Sequence, residues 1–331
     1  MTSPPQPTII QKLMDVYPSF ALLAGMQLDL FTPLKDGPLR AEQIADTTGV
    51  RLTKLRPLLY ALAAAGLLSV EGDRFSNTDE ANHFLVRGSP LCMAREHELY
   101  ANLWHASLQT AESIRTAQPQ ARHDYAEMSD EALASFFHSL HPDAVATGQM
   151  LAAHYDFSSY RTLLDLGGGS GGLAIAVAEI CPHIQATVVD LPTVTPITHR
   201  FVTSAGVADR IKIVAANPVE QVIDGRFDVA VLKAFIQVLS PEAAHCALKN
   251  ISAAIAPGGS IYILGSGILD NSRTSPPELA TFNIIFLNLY DAGQAYTEGE
   301  YFDLLVEAGF AGCKRDTLSD GSAVVMARKP G

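Results

Sequence analysis

A short apolar run, Leu163–Leu166, carries Asp165 and opens onto Gly167-Gly168-Gly169-Ser170-Gly171-Gly172, after which Leu173–Ala178 is apolar and alanine-rich. The order reads as strand, tight turn and helix start. Such a turn brings bare backbone N–H groups and a helix N-terminus close to a bound ligand. Two patterns fit the same residues. Gly167, Gly169 and Gly172 make the G-x-G-x-x-G of dinucleotide binding, while Asp165 with Gly167, Gly169 and Gly171 makes D-x-G-x-G-x-G. Asp190 closes the next apolar run, where a carboxylate can accept both hydroxyls of a ribose. An acid there suits either pattern, so the glycine loop alone leaves the nucleoside cofactor open.

The elements that must hold these residues follow from periodicity. After residue 160 apolar runs and helical patterns alternate, which implies a parallel sheet covered on both faces. Strands are expected near 162–166, 185–190, 210–214, 227–233 and 259–265, with helices near 171–180, 195–205, 241–256, 277–289 and 298–308. Two further strand-like runs, Gly312–Leu318 and Ser322–Arg328, flank the turn Ser319-Asp320-Gly321 and predict an antiparallel terminal hairpin at the sheet edge. Ahead of the sheet the pattern is helical from Ile9 to about Leu34 and is broken by Gly37-Pro38. A short helix then stops at Gly49, Thr53 is placed to cap a helix from Lys54 to about Ala65, and two short strands meet around Gly72. This is a winged-helix pattern. Residues 82–160 read as wholly helical. The chain is therefore divided into a winged-helix domain (1–95), a helical connector (96–160) and an α/β domain (161–331), with residues 1–8 expected to be disordered.

A winged helix raises DNA binding, and Arg51, Lys54 and Arg56 sit where they could meet phosphate. The wing, with Glu71, Asp73, Arg74, Asp79 and Glu80, is mainly acidic, and the whole chain carries a formal net charge of −12. Affinity for nucleic acid needs clustered cations, so a dimerisation role is the better reading. The same charge argues against an anionic membrane, and no apolar run approaches the roughly 20 residues needed to span one. The four cysteines, Cys92, Cys181, Cys246 and Cys313, have no metal or redox spacing. With a polar, proline-bearing start and no apolar leader, the expectation is a cytoplasmic protein with no metal.

Several features in order resemble class I S-adenosylmethionine (SAM) methyltransferases: Asp165 with its glycine loop, Asp190-Leu191-Pro192, Pro257-Gly258-Gly259 before the fifth strand, and the terminal hairpin. The winged-helix front narrows the resemblance to the O-methyltransferase family of phenol, hydroxyindole and bacterial natural-product enzymes. Gln294-Ala295-Tyr296-Thr297 with Glu300-Tyr301 looks like its bacterial branch. The resemblance implies a Rossmann-like SAM-binding sheet, a homodimer and a small-molecule acceptor. It implies that Gly167, Gly168 and Gly169 approach the methionine part of SAM and that Asp165 attracts its α-ammonium. It further implies that Asp190 and Leu191 flank the ribose, that Ala216 and Asn217 meet the adenine, and that Lys233 lies near the cofactor. Asn217 stands where the family usually has Asp.

The same resemblance exposes a departure. The family's general-base histidine falls in a stretch that here reads Lys233-Ala234-Phe235-Ile236-Gln237-Val238-Leu239, so the base position is Gln237, and an amide cannot take a proton at neutral pH. Its supporting acids are also replaced, one by Gly265-Ser266 and the other within Ala295-Tyr296-Thr297. Three readings follow. The acceptor needs no histidine, being a thiolate, a thioether, an amine or an activated carbon, with sulfur slightly favoured. Or another group, His105, His138, His141 or Tyr100, serves an oxygen acceptor. Or SAM is bound without methyl transfer and assists pericyclic or decarboxylative chemistry. Trp104, Phe137, His141, Phe282, Asn283 and Phe286 are candidates for the acceptor pocket walls, and Arg95, Arg115 or Arg122 for a carboxylate clamp.

Overall fold

The computed structural model describes residues 8–89 and 92–331, the side chain of Arg95 excepted, so the expectation of disorder over residues 1–8 lies, but for Thr8, outside the described residues. The chain divides into two compact units, Met1–Asn102 and Leu103–Gly331.

The first unit opens with helices α1 (Ile9–Met14) and α2 (Tyr17–Gln27), followed by strand β1 (Leu39–Arg40) and helices α3 (Ala41–Thr48) and α4 (Leu52–Ala64). Strands β2 (Leu68–Glu71) and β3 (Arg74–Asn77) and helix α5 (Asp79–Phe84) complete it, with the first part of α6 (His97–Ser107). β1, β3 and β2 form a small antiparallel sheet in that order, the wing. Glu71 faces Arg74 across a two-residue turn in which Gly72 has φ +61°, a backbone that β-carbon-bearing residues resist. Gly49 ends α3 in the left-handed conformation as its position predicts. Thr53 is not the cap of α4. The helix starts one residue before it, from Arg51 in extended conformation. Leu30, Phe31, Ile44, Leu55, Leu59, Leu62 and Phe75 form the core of this unit.

The second unit holds α7 (Thr110–Thr116), α8 (Asp130–His154) and a seven-stranded sheet. Its strands are β4 (Thr162–Leu166), β5 (Gln185–Asp190), β6 (Ile211–Ala215), β7 (Phe227–Lys233), β8 (Ile255–Leu264), β11 (Ala311–Thr317) and β12 (Ala323–Arg328). A parallel pair, β9 (Ile268–Leu269) and β10 (Tyr296–Thr297), stands beside it. The order is β11-β12-β8-β7-β4-β5-β6, with the last five parallel and the β11–β12 hairpin antiparallel at the edge. Helices α9 (Gly172–Ile180), α10 (Thr195–Ser204), α11 (Pro241–Ala254), α12 (Pro277–Phe282), α13 (Ile284–Leu289) and α14 (Glu298–Glu307) complete the unit. The buried strands alternate strictly. Leu164, Leu166, Ala230 and Leu232 enter one core, and Leu163, Val188, Val229 and Val231 the other. Both faces of the sheet are thus covered, as near-continuous apolar strands require.

Two helical expectations are corrected. Residues 82–160 are not wholly helical, because irregular stretches separate α5 from α6 and α7 from α8. In the second of these, Ala117 adopts φ +54° and the N–H groups of Ala121 and His123 bond to the carbonyls of Asn288 and Leu289. Residues 277–289 are two helices broken at Asn283, whose side-chain oxygen accepts from the backbone N–H of Ala295 at 2.8 Å.

Candidate active site

The strand order reverses between β4 and β7, and open α/β sheets take their ligands at the carboxyl ends of the strands beside such a point. There β4 delivers the glycine loop. Gly167, Gly169 and Gly171 have φ of +65°, +56° and +74°. A β-carbon on Gly167 would lie 2.5 Å from the ring of Phe235, and one on Gly169 would lie 2.6 Å from the ring of Phe137. Gly168 is excluded from substitution differently, by Val188 and the Asp165 carboxyl. The loop is a cradle with no room for side chains.

Two carboxylates bracket it. Asp165 is buried; one oxygen accepts from Ala174 N–H at 3.3 Å, and the other, Oδ1, is buried with no partner among the described residues. Burial pushes its pKa up to about 7, against the Ala174 hydrogen bond, with the Asp190 charge adding to the rise. Asp190 accepts from Gly169 N–H and from Leu191 N–H, both at 2.7 Å, and burial raises it to about 6. An orphaned buried acceptor is costly, and here it fits a cationic group brought in by a ligand, while Asp190 keeps lone pairs for hydroxyls. Two carboxylates beside a bare glycine loop thus fit the cation and hydroxyls of SAM.

Asp165 makes a prediction about stability. Its folded pKa lies above the ordinary carboxylate value, so between about pH 4 and 7 the native state holds a proton that the unfolded chain has released. Stability of the cofactor-free protein falls as pH rises through that window. Urea unfolding at pH 5 and pH 8 should show the drop in the wild type and a smaller one in Asp165→Asn; equal drops would contradict it.

The remaining candidates are unequal. Ala216 is buried and its N–H bonds the carbonyl of Asp190. Asn217 uses its oxygen for Val219 N–H and its amide N–H for Glu220. Lys233 ends β7 and pairs with Asp143 of α8 at 2.5 Å. His141 shares a 2.9 Å hydrogen bond with Ser170 of the loop and stacks on Phe201, ring centroids 4.1 Å apart. It supports the cofactor loop. His138 is exposed and also lies against Phe201. His105 is exposed and Trp104 half-buried on α6, and Tyr100 falls in the first unit. Arg115 pairs with Glu112, and Arg122 with Asp291 and Asp124, while the Arg95 side chain lies outside the described residues.

Gln237 is buried on a single turn after β7, 6% exposed. Its Oε1 lies where a β-carbon of Gly265 would stand, 2.5 Å from that position, and its Cβ lies 2.8 Å from the corresponding position on Gly267. The missing side chain of Gly265 is thus what makes room for the glutamine. Ala234, three residues before it, is held at φ +54°, an uncommon conformation for alanine.

An aromatic cluster, which the sequence reading did not single out as a unit, joins these two halves. Phe137 lies over Gly169 and, at 5.3 Å, against Phe136. Phe136 meets Tyr125 and His123, and the Tyr125 hydroxyl lies 2.7 Å from that of Tyr290. Tyr290 in turn packs at Gly293, beside the backbone carbonyl of Gln237. Phe286 and Phe282 extend the cluster along α13 and α12. Asn288, fully buried, bonds Ser113, Thr110 and the Ile284 carbonyl, so its polarity serves to tie α13 to α7.

A family model described as the O-methyltransferase domain matches residues 110–311, and one described as the O-methyltransferase dimerisation domain matches residues 11–87. Among similar proteins, the tetracenomycin polyketide synthesis 8-O-methyl transferase TcmO of Streptomyces glaucescens is 28% identical, over 97% of this chain and 96% of its own. The 3-hydroxy-5-methyl-1-naphthoate 3-O-methyltransferase of Streptomyces sahachiroi is also 28% identical, over 92% and 89%. The fold matches that of human N-acetylserotonin methyltransferase, solved with SAM, at TM-score 0.83 and 21% identity over 100% of both chains. With the glycine cradle, the two bracketing acids and the family match over most of its length, this chain belongs to the SAM-dependent O-methyltransferase family.

Proposed function

We propose that the protein transfers the methyl group of SAM to a hydroxyl on a planar aromatic small molecule. The observation that carries the reading is the aromatic cluster of Phe136, Phe137, Tyr125 and Tyr290, which runs from the glycine loop to Gln237. Flat rings stack or meet edge-on with such side chains. The names of both relatives specify oxygen acceptors, one on a polyketide and one on a naphthoate. SAM, when bound, supplies a methyl on a sulfonium sulfur, open to in-line displacement. On the protein side, Gly167–Gly169 offer close backbone approach, Asp165 and Asp190 hold the ammonium and ribose, and Ala216 and Asn217 flank the adenine.

Gln237 does not take the proton in this reading; its amide positions. Gln237→Ala is expected to lower kcat by less than about tenfold, well short of the 10²–10⁴ typical of a lost general base. A loss in that larger range would contradict the assignment. The base-free reading, with a sulfur, amine or activated-carbon acceptor, rests on Gln237 alone, and its favoured sulfur acceptor is named in neither relative above. Incubation with SAM and matched panels of phenols and thiols, with products read by mass, separates the two.

The homodimer reading is supported by the dimerisation-domain match and by α1 and α2, which expose Ile9, Ile10, Leu13, Met14, Tyr17 and Phe20. Light scattering at micromolar concentration should give twice the chain mass; the chain mass itself would overturn it. No described helix is long and apolar enough to cross a membrane, and a cytoplasmic location is part of the proposal.

A further inference from the structure

We propose that His123 is the general base, its imidazole accepting the acceptor's hydroxyl proton as oxygen attacks the methyl carbon. The inference rests on the oxygen-acceptor reading above and names the group that does what Gln237 cannot.

Three observations converge on this residue. Its Nδ1 is buried and has no hydrogen-bond partner among the described residues. Native proteins rarely leave such an atom unpaired, and an absent ligand is one of the few explanations. The ring is walled by the acceptor cluster, with Phe136 at 5.5 Å and Tyr125 and Tyr290 each at 6.4 Å, all edge-to-face. The segment that carries it is fixed, because His123 N–H bonds the Leu289 carbonyl at 2.8 Å and Ala121 N–H bonds that of Asn288 at 3.1 Å. A base must be held within hydrogen-bond reach of the proton it takes, and this backbone clip supplies the rigidity. Burial lowers the pKa of His123 below its ordinary value, so the ring is neutral and able to accept a proton at pH 7. The titratable groups facing it are Tyr125 and Tyr290, both shifted upward by burial and therefore uncharged. The flanking Arg122 is paired with Asp291 and Asp124.

The step balances. The acceptor O–H bond breaks with its proton passing to His123, the oxygen–methyl bond forms, and the sulfur–methyl bond breaks with its electron pair going to sulfur. The sulfonium charge is thereby replaced by imidazolium charge, which is lost to solvent before the next turnover.

The test uses full-length His123→Gln and His123→Gly with a phenol that the wild type methylates. Both variants should bind SAM with unchanged Kd while kcat falls about 10²–10⁴-fold. The acidic limb of the wild-type kcat profile should vanish, with rates rising toward high pH as the phenol ionises unaided. Added imidazole should restore part of the rate in His123→Gly and none in wild type. Wild-type kcat and pH profile in His123→Gln would overturn the proposal. If either variant fails to fold, judged by lost SAM binding, the wild type still decides. A kcat that follows the phenol's own ionisation, with no limb below pH 7, overturns the base, and a limb there that stays fixed across phenols of different pKa upholds it. A wild type that methylates thiols and no phenol would instead sink the oxygen-acceptor reading itself, a different result from a failure of His123.

Discussion

Asp190→Ala raises the Kd for SAM by about 100-fold or more. Asp190 accepts two short hydrogen bonds from the loop, Gly169 N–H and Leu191 N–H at 2.7 Å each. Hydrogen bonds to a charged group contribute roughly 1.5–3 kcal/mol apiece, and Gly169 is in the left-handed conformation that the first bond helps to hold. Alanine removes the tether and the ribose acceptor together, and about 3 kcal/mol corresponds to about two decades in Kd. Asp190→Asn should fall between, since one oxygen remains and an NH₂ must now face a backbone N–H. Titration calorimetry at fixed pH checks both, and an alanine variant within threefold of wild type would remove Asp190 from the cofactor site.

The second large effect belongs to Gly265. In Gly265→Ala the new β-carbon would stand 2.5 Å from Gln237 Oε1 and 3.1 Å from the backbone of Ala234, at φ +147°. The amide end of Gln237 can swing away, but Ala234 is already in a strained backbone conformation and is bonded through its N–H to the Leu264 carbonyl. Backbone strain costs about 1–3 kcal/mol and overpacking about 1–3 kcal/mol. A loss near 3 kcal/mol in urea unfolding is expected, with kcat reduced because Gln237 is displaced. Part of the loss should return in the double variant with Gln237→Ala, since the two sites touch and their effects do not add. Full additivity would mean that Gln237 and Gly265 do not share this space.

These two sites differ in how they could be read from sequence. The position of Asp190 at the end of β5, bonded to the glycine loop, was legible because a strand end and a glycine-rich turn are local features, and the buried strands announced themselves as apolar runs bounded by turns. The pairing of Gln237 with Gly265 had no local signal, because the side chain of one filling the space beside the other is a fact of packing. Helical periodicity in 82–160 hid the break after α7, because the hydrogen bonds that hold Ala121 and His123 go to α13, far along the chain. The break in α12–α13 had the same cause, with Asn283 capturing the N–H of Ala295. His123 carried no signal at all. It is a lone histidine in a polar stretch, and its neighbours Phe136 and Tyr290 become its walls only when the sheet brings α8 and α13 to the loop.

His141 and His138, singled out for their position on a helical stretch, turned out to meet Phe201 rather than the aromatic cluster. His141 alone reaches the loop: Ser170 accepts from Gly172 N–H and shares its hydroxyl with His141, which fixes the helix entry, whereas His138 bonds the Ala134 carbonyl of its own helix. On the proposed reading, proton handling at His123 and cofactor binding at β4 and β5 are separate.

Methyl transfer from SAM to an aromatic hydroxyl leaves its signature in the products. Its most direct measurement is the mass of the products formed by wild-type protein from SAM with matched phenols and aromatic thiols. Methyl ethers of phenols are expected, each heavier by one CH₂, with S-adenosylhomocysteine formed in equal amount. Thioethers alone, with every phenol recovered unchanged, would contradict it.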